Sequence, residues 1–502
     1  MLEIRRSLPV AFSLVIAALI GACGGDAVAP SGPKPGLTVL PYAKLVDTAG
    51  ARPTAPLVAE YRSADGSPMP GVEISFEVLD VKWSGFEFSP VLFVSQDFAG
   101  ATSFTSRVVV KTDAMGRAEA PFVFGTIAGS GTVRVNAPGP GGTETTTFAV
   151  QPGNVARVLF SVGDTVITIG GSVAISATAA DRWGNPRTEP VSISLRRGNA
   201  SASLANSTLR GLAFGQAIVE ASLPGATDSL SVGIVPLARL AIVEPVNTGG
   251  ANLSLIDSDM TGRRLLLAAS SSDGWERMPA WSPTGGRVIV QMGNYIRLFV
   301  VDTATRTVAR AIPYVTAANE EYLPAYSPDG LWIYYAAVST YQDQKLWRAR
   351  ADGTSAERIS LPGGDYFIDS SPSVSPDGSR VVYWTSRTSG SRDVPTLMTL
   401  RVGTTDTTGL NATGYFPKWS PQGADILYRH EDTLKLVRPD GANQRVIGVP
   451  SGGYGGHPAW SPDGQYVIAE HVRGMQMIRV ATGEIVQYPS STTSWTQMSW
   501  RP

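Results

Sequence analysis

The stretch GHPAWSPDGQYVIAE (residues 456–470) decides the fold, because shorter versions of it return four times upstream. MPAWSPTGGRVIV begins at Met278, LPAYSPDGLWIYY at Leu323, SPSVSPDGSRVVYW at Ser371 and FPKWSPQGADILYR at Phe416. One position is therefore held in turn by Trp281, Tyr326, Val374, Trp419 and Trp460, at intervals of about 40–48 residues, a spacing that signals a propeller. In each copy a short inner strand meets a tight turn. Proline presets φ for the first central position, aspartate accepts the next, and glycine takes the positive φ that closes the hairpin. Asp329, Asp377 and Asp463 each sit alone on their own hairpin. They read as turn caps, not as catalytic groups or calcium ligands.

The rest of each unit supplies a second apolar strand such as QYVIAE, an outer strand such as LKLVRPDG and a last strand such as NQRVIGV. Four strands per repeat make a propeller blade. A sixth copy of the aromatic is Trp500 in TQMSWRP, and its missing strands are available in ARLAIVEPV, NLSLIDSDM and RRLLLAAS (residues 238–270). The expectation is a six-bladed propeller over residues 237–502, closed by pairing of the C-terminal strand with the first blade. Closure removes exposed sheet edges. This region resembles the TolB-type propeller, built from WD40-like W-S-P-D-G repeats, a motif specific for fold and weak for function.

Length and composition agree with an all-β chain. At 502 residues about three domains are expected, and the 53 Gly and 36 Pro indicate many short turns. A net charge of −1 without blocks of like charge gives no basic face for nucleic acid. One cysteine excludes a disulfide framework, and three histidines leave little material for a histidine-rich metal site.

Upstream of the repeats, GVEISFEV puts Val72, Ile74, Phe76 and Val78 on one face of a strand with one buried side. The turn ADGSPMPG before it and KTDAMGRAEAPFVFGTIAGSGTVRVNA after it resemble bacterial Ig-like domains of the invasin/intimin type over residues 37–153. Residues 81–107 are longer than the usual connection and read as an insertion. A second unit over residues 154–236, carrying SVAISATAADRWGNP and GQAIVEASLPGATDSLSVGIVP, resembles another bacterial Ig-like domain. No loop of these two sandwiches gathers carboxylates, histidines or nucleophiles, so they read as spacers.

At the N-terminus, Arg5 and Arg6 precede an apolar run from Leu8 to Ile20, too short to span a bilayer comfortably, which reads as a secretory signal over residues 1–22. The run ends in Ile20-Gly21-Ala22-Cys23, which resembles the bacterial lipobox. That resemblance implies acylation of Cys23, a tether over residues 23–36, and sorting to the outer membrane, because Gly24 stands where many inner-membrane lipoproteins carry aspartate. The protein is expected to face the periplasm or the cell surface, touching membrane through its lipid anchor only.

For function, no G-x-S-x-G elbow occurs and no carboxylate pair has a spacing that demands acid–base chemistry, so no catalytic residue, metal ligand or cofactor is assigned. In a propeller, the loops leading into inner strands share one face. Arg277, Tyr322, Tyr415, Phe416, His457 and Trp495 fall on that rim and suit contact with an envelope or surface protein or glycan. Two alternatives stay open. One is a metal-assisted carbohydrate-active enzyme using His430, His457 and His471; the other is a structural spacer or adhesin.

Overall fold

The computed structural model describes residues 35–79, 91–96, 102–138, 142–246, 250–270, 277–293, 296–312, 320–338, 344–360, 367–387, 395–448, 457–471, 474–489 and 497–502. Every regular element among them is a strand. The expected signal and acylation segment, Cys23 included, and the rim residue Trp495 lie outside the described residues. The chain divides into two compact units, residues 1–154 and 155–502.

The first unit packs three antiparallel-rich sheets around one core. Strand Glu73–Val78 buries Ile74, Phe76 and Val78, as its alternation dictates, and pairs with Gly129–Asn136 and Arg107–Lys111. Residues 81–107 contribute strands Val91–Gln96 and Thr102–Thr105, and the first of these pairs with Phe122–Phe124. Phe122, Phe124 and Phe148 meet in tilted and edge-on contacts 5.0–5.8 Å apart, which suit the aromatic quadrupole.

The second unit begins with a smaller sandwich. Its sheet Ser192–Arg197, Gly215–Leu223, Ala226–Val235 and Thr165–Thr168 covers Leu209, Val219 and Val232. The turn read from DRWGNP forms on Asp181, whose carboxylate accepts the Trp183 and Asn185 N–H groups at 2.8 and 2.9 Å.

In the repeats, each hairpin closes with the glycine N–H on the serine carbonyl at 2.8–2.9 Å, with glycine φ between +67° and +73°. The serine hydroxyl donates to aspartate in three copies, Ser327–Asp329, Ser375–Asp377 and Ser461–Asp463. Its oxygen accepts the N–H five residues on in all five copies, for instance Tyr466 on Ser461 at 2.9 Å. The Ser375 and Ser379 hydrogen bonds hold Asp377 down to about 2. These carboxylates are committed to their turns.

Each hairpin joins the first two strands of an antiparallel meander, and two successive meanders are linked into one sheet by a parallel contact of Gln344 with Ile368. The set Ala459–Trp460, Tyr466–His471, Gly474–Arg479 and Ile485–Gln487 is representative. Gln497–Trp500 pairs antiparallel with Arg239–Pro245, Trp500 opposite Leu240, and so sits in one sheet with Ala251–Asp257 and Arg264–Leu267. Three of the four repeat tryptophans staple neighbouring sheets. Trp281 Nε1 donates to Ser499 O at 3.0 Å, Trp500 Nε1 to Ala459 O at 3.1 Å, and Trp460 Nε1 to Lys418 O at 3.2 Å.

The small sandwich and the repeats share a core. Val166, Phe214 and Val235 cluster with Leu240, Tyr466, Val486 and Trp500. Phe214 lies 4.9 Å from the Tyr466 ring, and Arg479 donates to Phe214 O at 2.9 Å. Gly233 permits the approach, since a Cβ there would meet Val486 Cγ1 at 2.6 Å.

Candidate functional site

The inner strands converge on an axial cavity of about 250 Å³. A recurrent kink shapes its mouth. Met278, Leu323, Ser371 and Phe416 each precede a proline and each adopt positive φ, between 39° and 56°. A register shift accompanies three of them, at Tyr322/Ala325, Ser370/Ser373 and Tyr415/Lys418. The proline has no N–H to give the ladder, so the strand bulges there and re-aims the preceding residue. Neighbouring repeats take up the exposed N–H groups: Gln291 Oε1 accepts from Leu323 and Gln497 Oε1 from Met278, both at 2.6 Å.

The structure gathers three of the rim residues expected from sequence. Tyr415, Phe416 and His457 form a continuous aromatic arc, with ring centroids 6.1 Å apart for Tyr415–Phe416 and 3.9 Å for Phe416–His457. Trp384 extends it, edge-on to Tyr415 at 5.2 Å and fixed by its Nε1 donating to Ser371 Oγ at 3.0 Å. Tyr415 is 39% exposed. His457 is held neutral, its pKa pushed down to about 3 by burial and by the Lys418 and Arg429 charges.

Other expectations fall elsewhere. Arg277 is fully buried, a correction to its placement on the rim. Its guanidinium donates to the carbonyls of Ala251 and Ala268, and its N–H to Gln497 Oε1. Those acceptors come from the adjacent strands, so the side chain ties sheets together. Tyr322 is half-buried and donates its hydroxyl to Glu320. His430 places Nδ1 2.8 Å from Thr413 O. Only the backbone of His471 is described, in strand Tyr466–His471. Among the described residues no group of three or more His, Cys, Asp or Glu is placed to hold a metal ion.

Sequence reading missed three charged residues near the mouth. Lys418 lines the cavity, and burial lowers its amine to about 8. Glu470 is raised to about 7 by burial, partly offset by Arg429. Arg429 pairs through its backbone with Tyr415 and donates Nε to Glu431 O at 2.9 Å. Lys418 was detectable in FPKWS, where the other copies read PAW, PAY, PSV, PAW and MSW.

A family model for the TolB beta propeller domain matches residues 248–464. The uncharacterized protein Atu1656 of Agrobacterium fabrum is 38% identical over 214 residues, covering 39% of this chain and 68% of that protein. Among solved structures, TolB from Acinetobacter baumannii is 15% identical with a TM-score of 0.45, covering 64% of this chain and 84% of that one. A TolB homologue from Agrobacterium tumefaciens is 16% identical with a TM-score of 0.38, covering 53% and 99% respectively.

Proposed function

Since the chain belongs to the TolB beta propeller domain family, we propose that it is a non-catalytic binding protein of the bacterial envelope. The propeller is six-bladed and closed, and it presents the mouth of its axis to a protein partner. The aromatic arc Trp384–Tyr415–Phe416–His457 carries this reading. It offers rigid, partly exposed aromatic area with few rotamers to freeze, the residue type that anchors protein contacts. In this reading an acylated Cys23 and a tether anchor the protein to the outer membrane, and two Ig-like sandwiches act as spacers. The core shared by the second sandwich and the repeats supports the spacer role, because a spacer that fixes the propeller's orientation needs an ordered joint.

The test is site-specific photo-crosslinking in cells. A photo-reactive residue at Tyr415 is expected to trap a discrete protein adduct. The same residue at Leu331, 55% exposed beside a repeat hairpin, is expected to trap none. Absence of an adduct at position 415, or equal adducts at both positions, overturns the reading. Protease shaving of intact cells against lysed ones then assigns the propeller to the surface or the periplasm.

A further inference from the structure

Six equivalent positions, each immediately before the repeated apolar residue (aromatic in all copies but Val374), line the axial cavity: Ala280, Ala325, Ser373, Lys418, Ala459 and Ser499. Five are small, as convergence of strands on an axis requires. The sixth is a lysine. Its backbone is ordinary, with Lys418 opposite Leu427 in the ladder and its carbonyl accepting the Trp460 staple. Its side chain is half-buried, and Nζ forms no hydrogen bond or ion pair with any described residue. The titratable neighbours are His457, which is neutral, and Arg429, which is a like charge; Glu470 lies against Arg429. Tyr326 and Pro502 also line the cavity; the tyrosine stays protonated, and the Pro502 carboxylate makes no ion pair with Lys418, so the cation is left without a paired counter-charge among the described groups.

We propose that the axial cavity is a carboxylate-binding site, in which the Lys418 ammonium pairs with one carboxylate and the apolar walls hold the rest of the ligand. This rests on, and deepens, the binding reading, since the cavity opens beside the aromatic arc through His457. One point charge without an arginine fork or a nest of N–H groups suits a monoanion better than a phosphate, whose higher charge and fixed geometry call for several donors. The carboxylate comes either from a small free acid or from an acidic peptide. The cavity volume accommodates a compact acid or a single acidic side chain.

The experiment uses the full chain and reads tryptophan fluorescence, because Trp281, Trp419, Trp460 and Trp500 line the cavity. Benzoate, its neutral isostere benzamide and a short N-acetylated oligoglutamate peptide are titrated into wild type, Lys418→Ala and Lys418→Arg. Lys418→Ala installs the residue three other repeats carry at this position, so folding is expected to persist. The expected result is saturable carboxylate binding at pH 7 that weakens at least about tenfold in Lys418→Ala, the factor a 1.4 kcal/mol interaction represents. Binding is retained in Lys418→Arg, is absent for benzamide, and weakens at pH 9.5 as the amine loses its proton. Tighter binding of the peptide than of benzoate supports a peptide source, and the reverse a free acid. Carboxylate binding that is absent, or unchanged in Lys418→Ala, overturns the proposal. Failure of the two readings is distinguishable: a Tyr415 crosslink that forms although carboxylate binding is absent or unchanged in Lys418→Ala leaves the binding reading standing while the cavity proposal falls.

Discussion

The two ends of each repeat follow different rules. At the hairpin end, five copies repeat one solution: glycine at positive φ, proline before it, and a serine oxygen accepting the N–H five residues on. At the axial end, the backbone kink recurs at Met278, Leu323, Ser371 and Phe416 while their side chains diverge, His457 holds the corresponding place before Pro458 without positive φ, and Lys418 stands among alanines and serines. Recurrence across repeats reports what every blade needs to fold. Divergence at a position whose backbone is shared reports what one blade does alone.

The strongest test of the recurrent part is Trp500→Ala. Trp500 is 6% exposed, packs in the core shared with the small sandwich, and donates to Ala459 O in the adjacent sheet. Its loss is expected to destabilise the second unit by about 3–5 kcal/mol, as buried tryptophan truncation does. Chemical denaturation monitored by circular dichroism checks it. A loss below about 1 kcal/mol would show that the sheets flanking Arg239–Pro245 hold together without this staple.

Phe214→Ala addresses the joint between sandwich and repeats. The ring stacks on Tyr466 and receives the Arg479 guanidinium at 4.9 Å from its centroid. The expected cost is about 3 kcal/mol, at the low end for phenylalanine because the joint can loosen instead of unfolding. Limited proteolysis should then cut between the sandwich and the first strand of the repeats, near Pro236, faster than in wild type. Unchanged cleavage would mean that Val166, Val235 and Val486 hold the joint unaided.

How far the sequence revealed this depends on the reach of each interaction. The hairpins were legible because their chemistry spans a few residues: Ser461, Pro462, Asp463 and Gly464 carry the whole turn. The strand Glu73–Val78 was legible through its alternation alone. Arg277 was not, because its burial depends on the Ala251 and Ala268 carbonyls and on Gln497, 220 residues away. The joint was invisible for the same reason, since Gly233 reads as an ordinary strand glycine until Val486 is packed against it. Tyr415, Phe416 and His457 were legible as rim residues, but Trp384 needed the pairing of the second strand with the inner one. Lys418 is legible as the odd member of an aligned column, though only the fold shows that this column lines the axis.

Ser461→Ala sharpens the hairpin end. Removing the hydroxyl, in a residue 2% exposed, leaves the Tyr466 N–H without its acceptor and Asp463 with the Gln465 N–H as its remaining donor. About 1 kcal/mol is expected, because one buried hydrogen-bonding group is lost while the glycine turn remains. An equal loss for Ser375→Ala would show that the copies are energetically equivalent.

The axial end, unlike the hairpin end, can also be read by pH. His457 titrates near 3 in the folded chain and near its usual 6.5 when unfolded, so the unfolded state binds more protons between those values. Stability is therefore lost as pH falls from 6.5 towards 3, and His457→Phe, which preserves stacking on Phe416 without a titrating ring, should flatten that limb. Lys418 works in the alkaline window. Its amine is neutral above about 8 when folded and above about 10.5 when unfolded, so stability rises with pH between those values. Lys418→Ala should remove this rise and also make the acid limb shallower, because the Lys418 charge helps to hold the His457 pKa down. Glu470 opposes His457 in part: its folded pKa near 7 makes stability fall as pH rises from 4.5 to 7. The acid limb is thus best compared in a Glu470→Gln background, where this opposing contribution is gone and the difference made by His457→Phe reports the histidine. Thermal melts at pH steps from 4 to 10 separate the three groups. An alkaline rise that survives in Lys418→Ala would assign that window to another amine and remove the axial lysine from the charges that set this chain apart from a bare repeat scaffold.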